Sequence, residues 1–467
     1  MFAFSFGRPA PALALVLSLV LLCAAGCGVP LIDRGDGVKE TVVCNLMQCP
    51  NVYQTGEDAF ADVPPVYQVN PVPVFYFSDR KAETAPDGAN LEYTAKRDRT
   101  IDFGETRVRI GGGLDWEGLK AVSLTPGDRH RPGVSVASVR RLVEYPAEIG
   151  GVTRKEMADK TGDPDAYDKA VDKAAAGVMD ALGARLDQVA RKEVFIFVNG
   201  VNTTFAQSMT DWTQVWHYLG REGVPLIFSW PSGHNGIKTY FIDSDAGDTS
   251  AEYLKKMVQL LASFDKVEKV SIIGHSRGCD ITCRALLSLA EINTAQGKKP
   301  GEGLKLNNVL LLAPDVDINF FGYRVVENGV LEMPRMFTIF MSDRDKALSV
   351  SRWLRAGIKR LGGFSVKELT AADFSMSRFF PNTHTVVSEA KPANWLNHSY
   401  YLESASVSSD LVKILRYELR PGASNGRPLR MLRNEDSNLW ALDEGYPFQQ
   451  GQGAGADSAC ADCACPN

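Results

Sequence analysis

The stretch Val270-Ser271-Ile272-Ile273-Gly274-His275-Ser276-Arg277-Gly278-Cys279 decides how the rest of the chain is read. A short β-branched apolar run stops at a glycine, and a helical pattern begins after the serine. Such a run predicts a strand buried on both faces. G-x-S-x-G between a strand and a helix is a nucleophile elbow. The serine stands on a sharp turn with its oxygen exposed above the sheet, and the glycines remove side chains that would clash there. The bare pentapeptide arises by chance; its place between strand and helix gives it meaning.

Similar runs lie on both sides: Val194–Val198, Val224–Phe228, Val309–Leu312, Phe337–Met341 and Thr385–Val387. Helical patterns fit between them, near 205–219, 248–264, 277–293 and 345–357, with one more near 406–418. Buried strands alternating with helices predict a mostly parallel, doubly wound α/β sheet with flanking helices. Upstream, Val72–Phe77, Arg107–Ile110 and Ala121–Leu124 are read as an N-terminal extension of strands. Ala170, Val171, Ala174, Val178 and Leu182 recur at helical spacing within Asp165–Arg191.

In a doubly wound sheet, function collects in the loops after the strands. A serine attacks only when a positioned base takes its proton, and in this fold the chain order is serine, acid, histidine. Of six histidines (130, 217, 234, 275, 384 and 398), only His384 and His398 lie well downstream of Ser276. His384 immediately precedes the Thr385–Val387 run, at the wrong end of that strand. His398 lies in the loop after it and is the expected base. His275 belongs to the elbow and is expected to pack. The acid should follow Phe337–Met341, where Asp343 and Asp345 both qualify by spacing. Asp315 and Asp317, after the preceding strand, are read as structural carboxylates. The oxyanion needs donors. One is expected from the backbone N–H of Arg277, the other from Val201 or Asn202 in the loop after Val194–Val198. This chemistry requires no metal and no organic cofactor.

The ends read differently. Arg8 precedes an apolar stretch from Ala10 to Ala25, then Ala24-Ala25-Gly26-Cys27. This has the form of a signal peptide ending before a cysteine that receives lipid, which implies residues 1–26 as signal peptide, Cys27 as the attachment point and a location in the bacterial cell envelope. Residues 27–70 read as a proline-punctuated linker to the membrane. Cys44 and Cys49 are spaced for a disulfide in an oxidising compartment. Cys279 and Cys283 fall on a helix and read as core. The tail carries Cys460, Cys463 and Cys465 in a Gly/Ala-rich context and reads as disordered. Acidic residues (56) exceed lysine plus arginine (51), so no basic surplus points to nucleic acid.

Together these blocks resemble a bacterial α/β-hydrolase family of unknown physiological function that is esterase- and lipase-like. The family's H-G-Y-N-T is similar to Asn199-Gly200-Val201-Asn202-Thr203, its F-S-W-P-S to Phe228–Ser232, its A-P-D-V-D to Ala313–Asp317, its S-x-x-D-x-A-L to Ser342–Leu348, and its late His-Ser-Tyr to His398-Ser399-Tyr400. Val74–Arg80 is similar to the family's opening strand. The resemblance spans roughly 70–420 and implies an α/β-hydrolase fold over residues 71–420, with 421–467 a C-terminal extension. It also implies Asp345 over Asp343 as the acid. Asn199 departs from the family, which has histidine before the glycine. The expected activity is hydrolysis of an ester or related acyl bond in a small molecule or lipid. The competing expectation is a non-catalytic lipoprotein that uses the scaffold to bind lipid or protein. Fold by itself does not separate them.

Overall fold

The computed structural model describes residues 31–33, 39–85, 90–127, 131–146, 152–233, 237–355, 357–363, 378–392, 394–432 and 438–448. The expectations for the signal peptide, Cys27 and the tail cysteines lie outside them. Among the described residues, no helix is long and apolar enough to cross a membrane.

The strands are β1 (Leu31–Asp33), β2 (Lys39–Thr41), β3 (Cys44–Asn45), β4 (Val72–Thr84), β5 (Leu91–Ile110), β6 (Gly133–Tyr145), β7 (Glu193–Val198), β8 (Val224–Phe228), β9 (Lys269–His275), β10 (Leu306–Leu312), β11 (Met336–Met341), β12 (Thr383–Ser388), β13 (Arg430–Met431) and β14 (Leu439–Leu442). β1 and β2 form a separate antiparallel pair. The other twelve form one sheet in the order β13-β14-β12-β11-β10-β9-β7-β8-β4-β5-β6-β3. Neighbours from β14 through to β4 run parallel. The helices of eight residues or more are α1 (Trp116–Ser123), α2 (Val152–Thr161), α3 (Ala166–Leu186), α4 (Phe205–Tyr218), α5 (Ile237–Ser263), α6 (Arg277–Ala295), α7 (Lys346–Leu354) and α8 (Ala405–Leu415).

The central strands are apolar throughout because both faces are covered. Every residue of β7, β8, β10 and β11 is buried. Each strand found in the sequence from Val194 onward is present within three residues of its expected ends, as is each helix except α5. That helix begins at Ile237 rather than near 248, because its first turns follow directly from the loop after β8.

The connection after β7 leads outward to β8, and the one after β9 leads the opposite way to β10. The sheet order therefore reverses between β7 and β9. Loops leaving adjacent strands in opposite directions open a crevice at the strands' carboxyl ends. That crevice lies between the 199–204 loop and Ser276.

Four expectations are corrected. Residues 121–123 close helix α1 and Leu124 follows as its C-cap, so this stretch is not a strand. Asp115 caps α1 by accepting the Gly118 N–H at 2.8 Å, and buried Leu119 and Ser123 share a helical face. The linker reading fails over residues 44–67. Leu46, Met47, Val52, Tyr53, Phe60 and Tyr67 are buried in the main core. Val52 N–H donates to Ser409 Oγ at 3.0 Å, and the ring of Phe60 lies 4.6 Å from that of His217. These apolar residues show no period because loops and two short 3-10 turns, Asn51–Thr55 and Pro65–Tyr67, carry them. The start of the C-terminal extension also belongs to the body. β14 extends the sheet in parallel beside β12, and Arg427 and Asp410 form a fully buried ion pair at 2.7 Å. Cys44 and Cys49 are both free thiols; Cys44 Sγ meets Gln214 Nε2 at 3.1 Å instead of a second sulfur.

Candidate active site

β9 delivers Ser276 to the sheet edge, and α6 starts at the next residue. Ser276 has φ 53° and ψ −120°, a region that non-glycine residues rarely adopt. Its surroundings hold it there. Its N–H donates to Leu312 O at 2.9 Å, and its carbonyl accepts from Cys279 N at 3.1 Å and Asp315 N at 3.1 Å. The motif's second glycine has a steric cause. A Cβ on Gly278 would stand 2.5 Å from the carbonyl oxygens of both Val198 and Asn199. Strand β7 and the elbow are thus in backbone contact. Gly200 is equally constrained, since a Cβ there would lie 2.9 Å from Ser276 Cβ.

His398 follows β12 in the chain, and its Nδ1 lies 2.7 Å from Asp345 Oδ2. The other oxygen of that carboxylate, Oδ1, accepts the Leu348 N–H at 3.0 Å and caps α7. With both oxygens engaged and the side chain buried, Asp345 has one orientation. Asp343 is exposed and makes no such contact. Two further bonds bind the histidine loop to the acid loop: Lys346 N–H to Leu396 O at 3.0 Å, and Asn397 Nδ2 to Ser342 Oγ at 3.3 Å. Burial opposes a charged imidazole at 398, but the Asp345 carboxylate outweighs it and holds the pKa above its ordinary value.

His275 connects the serine to this pair. Its Nε2–H donates to His398 O at 3.2 Å, and its ring sits 4.8 Å from those of both His398 and Tyr401. Burial and neighbouring His398 push its own pKa well down, so it is a neutral spacer. Tyr400 fixes the floor: its hydroxyl donates to Phe340 O at 3.0 Å and accepts from Ala313 N at 3.1 Å.

The two loop donors differ. Asn202 N–H donates to Asp243 Oδ2 at 3.0 Å, so the expectation that it faces the oxyanion is corrected. The N–H groups of Val201 and Arg277 have no acceptor among the described residues. Arg277 N–H also lies at the positive end of α6. Asn199 does work that a histidine there would do differently. Its Nδ2 donates to Gly200 O at 2.9 Å and Ser232 Oγ at 3.1 Å, and its Oδ1 accepts from Ser208 Oγ at 3.1 Å. Trp230 is buried and donates to Asn199 O at 2.6 Å, so it packs beneath the loop. Asp315 pairs with buried Arg360 at 2.8 Å, and Asp317 caps the short Ile318–Phe320 turn. Both are structural carboxylates, and Cys279 and Cys283 are buried core residues.

Arg80 was missed. It is 1% exposed in the second half of β4, and it gathers both loops of the crevice. Nε donates to Ser229 Oγ at 3.0 Å, Nη1 to Ser232 O at 2.7 Å, and Nη2 to Thr203 O at 2.7 Å. Burial lowers its pKa to about 10. Asp243 on α5 ties the same loops by accepting from both Asn202 N and Gly233 N. The sequence carried only a faint signal for Arg80: a charged pair, Asp79-Arg80, close behind the apolar run Val72–Phe77.

Among the described residues, no group of histidine, cysteine or carboxylate side chains is arranged to hold a metal ion.

No curated protein matches the chain. Among solved structures, an esterase from Pyrococcus furiosus shares 15% identity over 49% of this chain and 84% of its own, with a TM-score of 0.29. An esterase from Pyrobaculum calidifontis shares 10% identity over 49% of this chain and 78% of its own, with a TM-score of 0.27. These superpositions are partial. A family model described as alpha/beta hydrolase of unknown function (DUF900) matches residues 174–415, from α3 to the end of α8. With more than half of its length matched and the mostly parallel sheet it folds into, the chain belongs to that alpha/beta hydrolase family.

Proposed function

We propose that this protein is a serine hydrolase that cleaves an ester or related acyl bond through an acyl-enzyme intermediate. The observation that carries this reading is the joining of two halves. A strained serine stands at the sheet's switch point, and an imidazole–carboxylate pair is bonded to the residue immediately before it.

In this reading, His398 Nε2 takes the Ser276 proton as Oγ attacks the acyl carbon. Asp345 accepts from Nδ1–H, which fixes the tautomer and stabilises the imidazolium. The N–H groups of Arg277 and Val201 receive the oxyanion. His398 then protonates the leaving alcohol. Water, activated by the same imidazole, attacks the acyl carbon and returns Ser276 to its hydroxyl form. Metal and organic cofactor have no part in these steps.

Labelling with a fluorophosphonate probe tests the reading directly. The expected result is one adduct on Ser276, lost in Ser276→Ala. A folded protein that forms no adduct and turns over no ester is a binding scaffold instead. Export with lipid on Cys27 is part of the same proposal, placing the enzyme in the cell envelope. Mass spectrometry of the mature N-terminus checks it, and an unmodified Cys27 or an intact residue 1 overturns it.

A further inference from the structure

The candidate site adjoins a surface that hydrolysis does not use. Helix α7 begins at the residue after Asp345 and carries Lys346, Val350 and Trp353 at i, i+4 and i+7. That spacing aligns them on one face. Trp353 is 63% exposed and Val350 38%. Trp395, 61% exposed, continues the line toward His398, with Lys346 Nζ 5.0 Å from its ring centre. Leu396 is exposed beside it. On the other side, α5 presents exposed Phe241 and Ile242. Tyr240, just before them, is held to Ser351 of α7 at 2.8 Å and lies under Arg355 at 5.1 Å. Single exposed apolar side chains are ordinary. Six large ones on three segments that meet at one helix form a patch that calls for an occupant.

Charge identifies the occupant. Between positions 346 and 360 the chain carries Lys346, Arg352, Arg355, Lys359 and Arg360 and no Asp or Glu, although the whole protein has a formal charge of −5. Arg360 is committed to Asp315. Lys346 and Arg352 are exposed, and Arg352 borders a surface depression of about 510 Å³ shared with Ser349, Trp353 and Gly357. Exposed tryptophans interleaved with cations match a lipid–water interface, where rings enter the headgroup level and cations meet phosphate. A second copy of this chain would set basic face against basic face.

We propose that the face formed by α7, the Trp395–Leu396 segment and the start of α5 docks on an anionic lipid surface and brings the crevice to it. The docking is a binding property and stands whether or not Ser276 is a nucleophile.

The test uses the full chain carrying Cys27→Ser, so that no acyl chain on residue 27 inserts by itself, and two vesicle types: phosphatidylcholine alone, and phosphatidylcholine with phosphatidylglycerol, each with or without brominated acyl chains. The expected result is tryptophan quenching by brominated lipid in the anionic vesicles. Trp353→Ser and Arg352→Glu should each weaken partitioning about tenfold, and Ser276→Ala should bind as the unaltered chain does. Circular dichroism confirms that the variants are folded. Equal binding to both vesicle types overturns the proposal. So does quenching that neither Trp353→Ser nor Trp395→Ser reduces, since another segment is then the one inserted. A concentration-dependent dimer abolished by Trp353→Ser overturns it in favour of a second copy. Loss of turnover in Ser276→Ala with binding intact bears on the hydrolytic reading alone.

Discussion

The molecule contains two neighbourhoods of serine, histidine and a charged third residue, and they work in opposite senses. At the sheet edge, His398 presents Nδ1 to the Asp345 carboxylate at 2.7 Å. In the core, His217 presents Nδ1 to Arg221 Nε at 2.9 Å and Nε2 to Ser123 Oγ at 2.9 Å. The guanidinium can only donate, so His217 Nδ1 accepts and Nε2 carries the proton. Nε2 therefore donates to Ser123 and cannot relieve it of a proton. Burial, reinforced by Arg221, pushes the His217 pKa well below the ordinary value, while Asp345 holds that of His398 above it. Of the two, it is the inert neighbourhood whose serine and histidine are hydrogen-bonded. The group on Nδ1, not the presence of a serine, decides whether an imidazole can act as a base.

The sharpest attempt to break this contrast removes each serine. Ser276→Ala should lower kcat for a short-chain ester by on the order of 10⁶ with the thermal midpoint unchanged, and Ser123→Ala should leave turnover as it was. Equal losses would mean that the buried pair takes part. Next in size is Asp345→Asn, which keeps a capping oxygen for α7 but removes the anion. A loss of about 10⁴ in kcat is expected. Its pH profile carries more information. For the unaltered enzyme, kcat/KM should fall as pH drops through a midpoint above 6.5, because the raised pKa leaves His398 protonated and unable to accept. In Asp345→Asn the midpoint should move down. An unmoved midpoint would assign the titration to another group.

A smaller effect is expected at Arg80. Arg80→Lys keeps the charge but cannot span the carbonyls of Thr203 and Ser232 and the Ser229 hydroxyl together. The Val201 N–H should then lose its alignment, lowering kcat by about 10² with little change in KM. A change confined to thermal stability would make Arg80 structural only. The smallest effect belongs to the inert pair. Ser123→Ala leaves the His217 N–H without an acceptor in the core, and urea unfolding should show a loss of about 1–3 kcal/mol.

Much of this site was legible because its signals are local. Gly274, Ser276 and Gly278 mark a turn whose sterics involve adjacent residues and the next strand. Asp345 and His398 each follow a strand whose apolar run announces it. Arg80 and Asp243 were not legible in the same way. Their partners, Thr203 and Ser232 or Asn202 and Gly233, lie on other segments, and nothing in the spacing of a lone charge names its acceptors. Residues 44–67 were misread for a related reason. They bury Leu46, Tyr53 and Phe60 on loops and short 3-10 turns, which are too brief to leave a period to detect.

The sequence by itself determined the order of strands and helices from Val194 to Leu415, the elbow at Ser276, and the loops that carry Asp345 and His398. These follow from hydrophobic period and turn chemistry, which act over a few residues. Only the tertiary structure bonded Asp345 to His398 while leaving Asp343 exposed, showed that the Asn202 N–H is already engaged, joined His398 to the elbow through His275, and set His217 against a guanidinium. Each of those outcomes depends on which group lies within about 3 Å of another that is distant in the chain. Hydrogen bonds are that short-ranged, and burial leaves no water to substitute for a missing partner, so the packing of the sheet and its loops is what decides them.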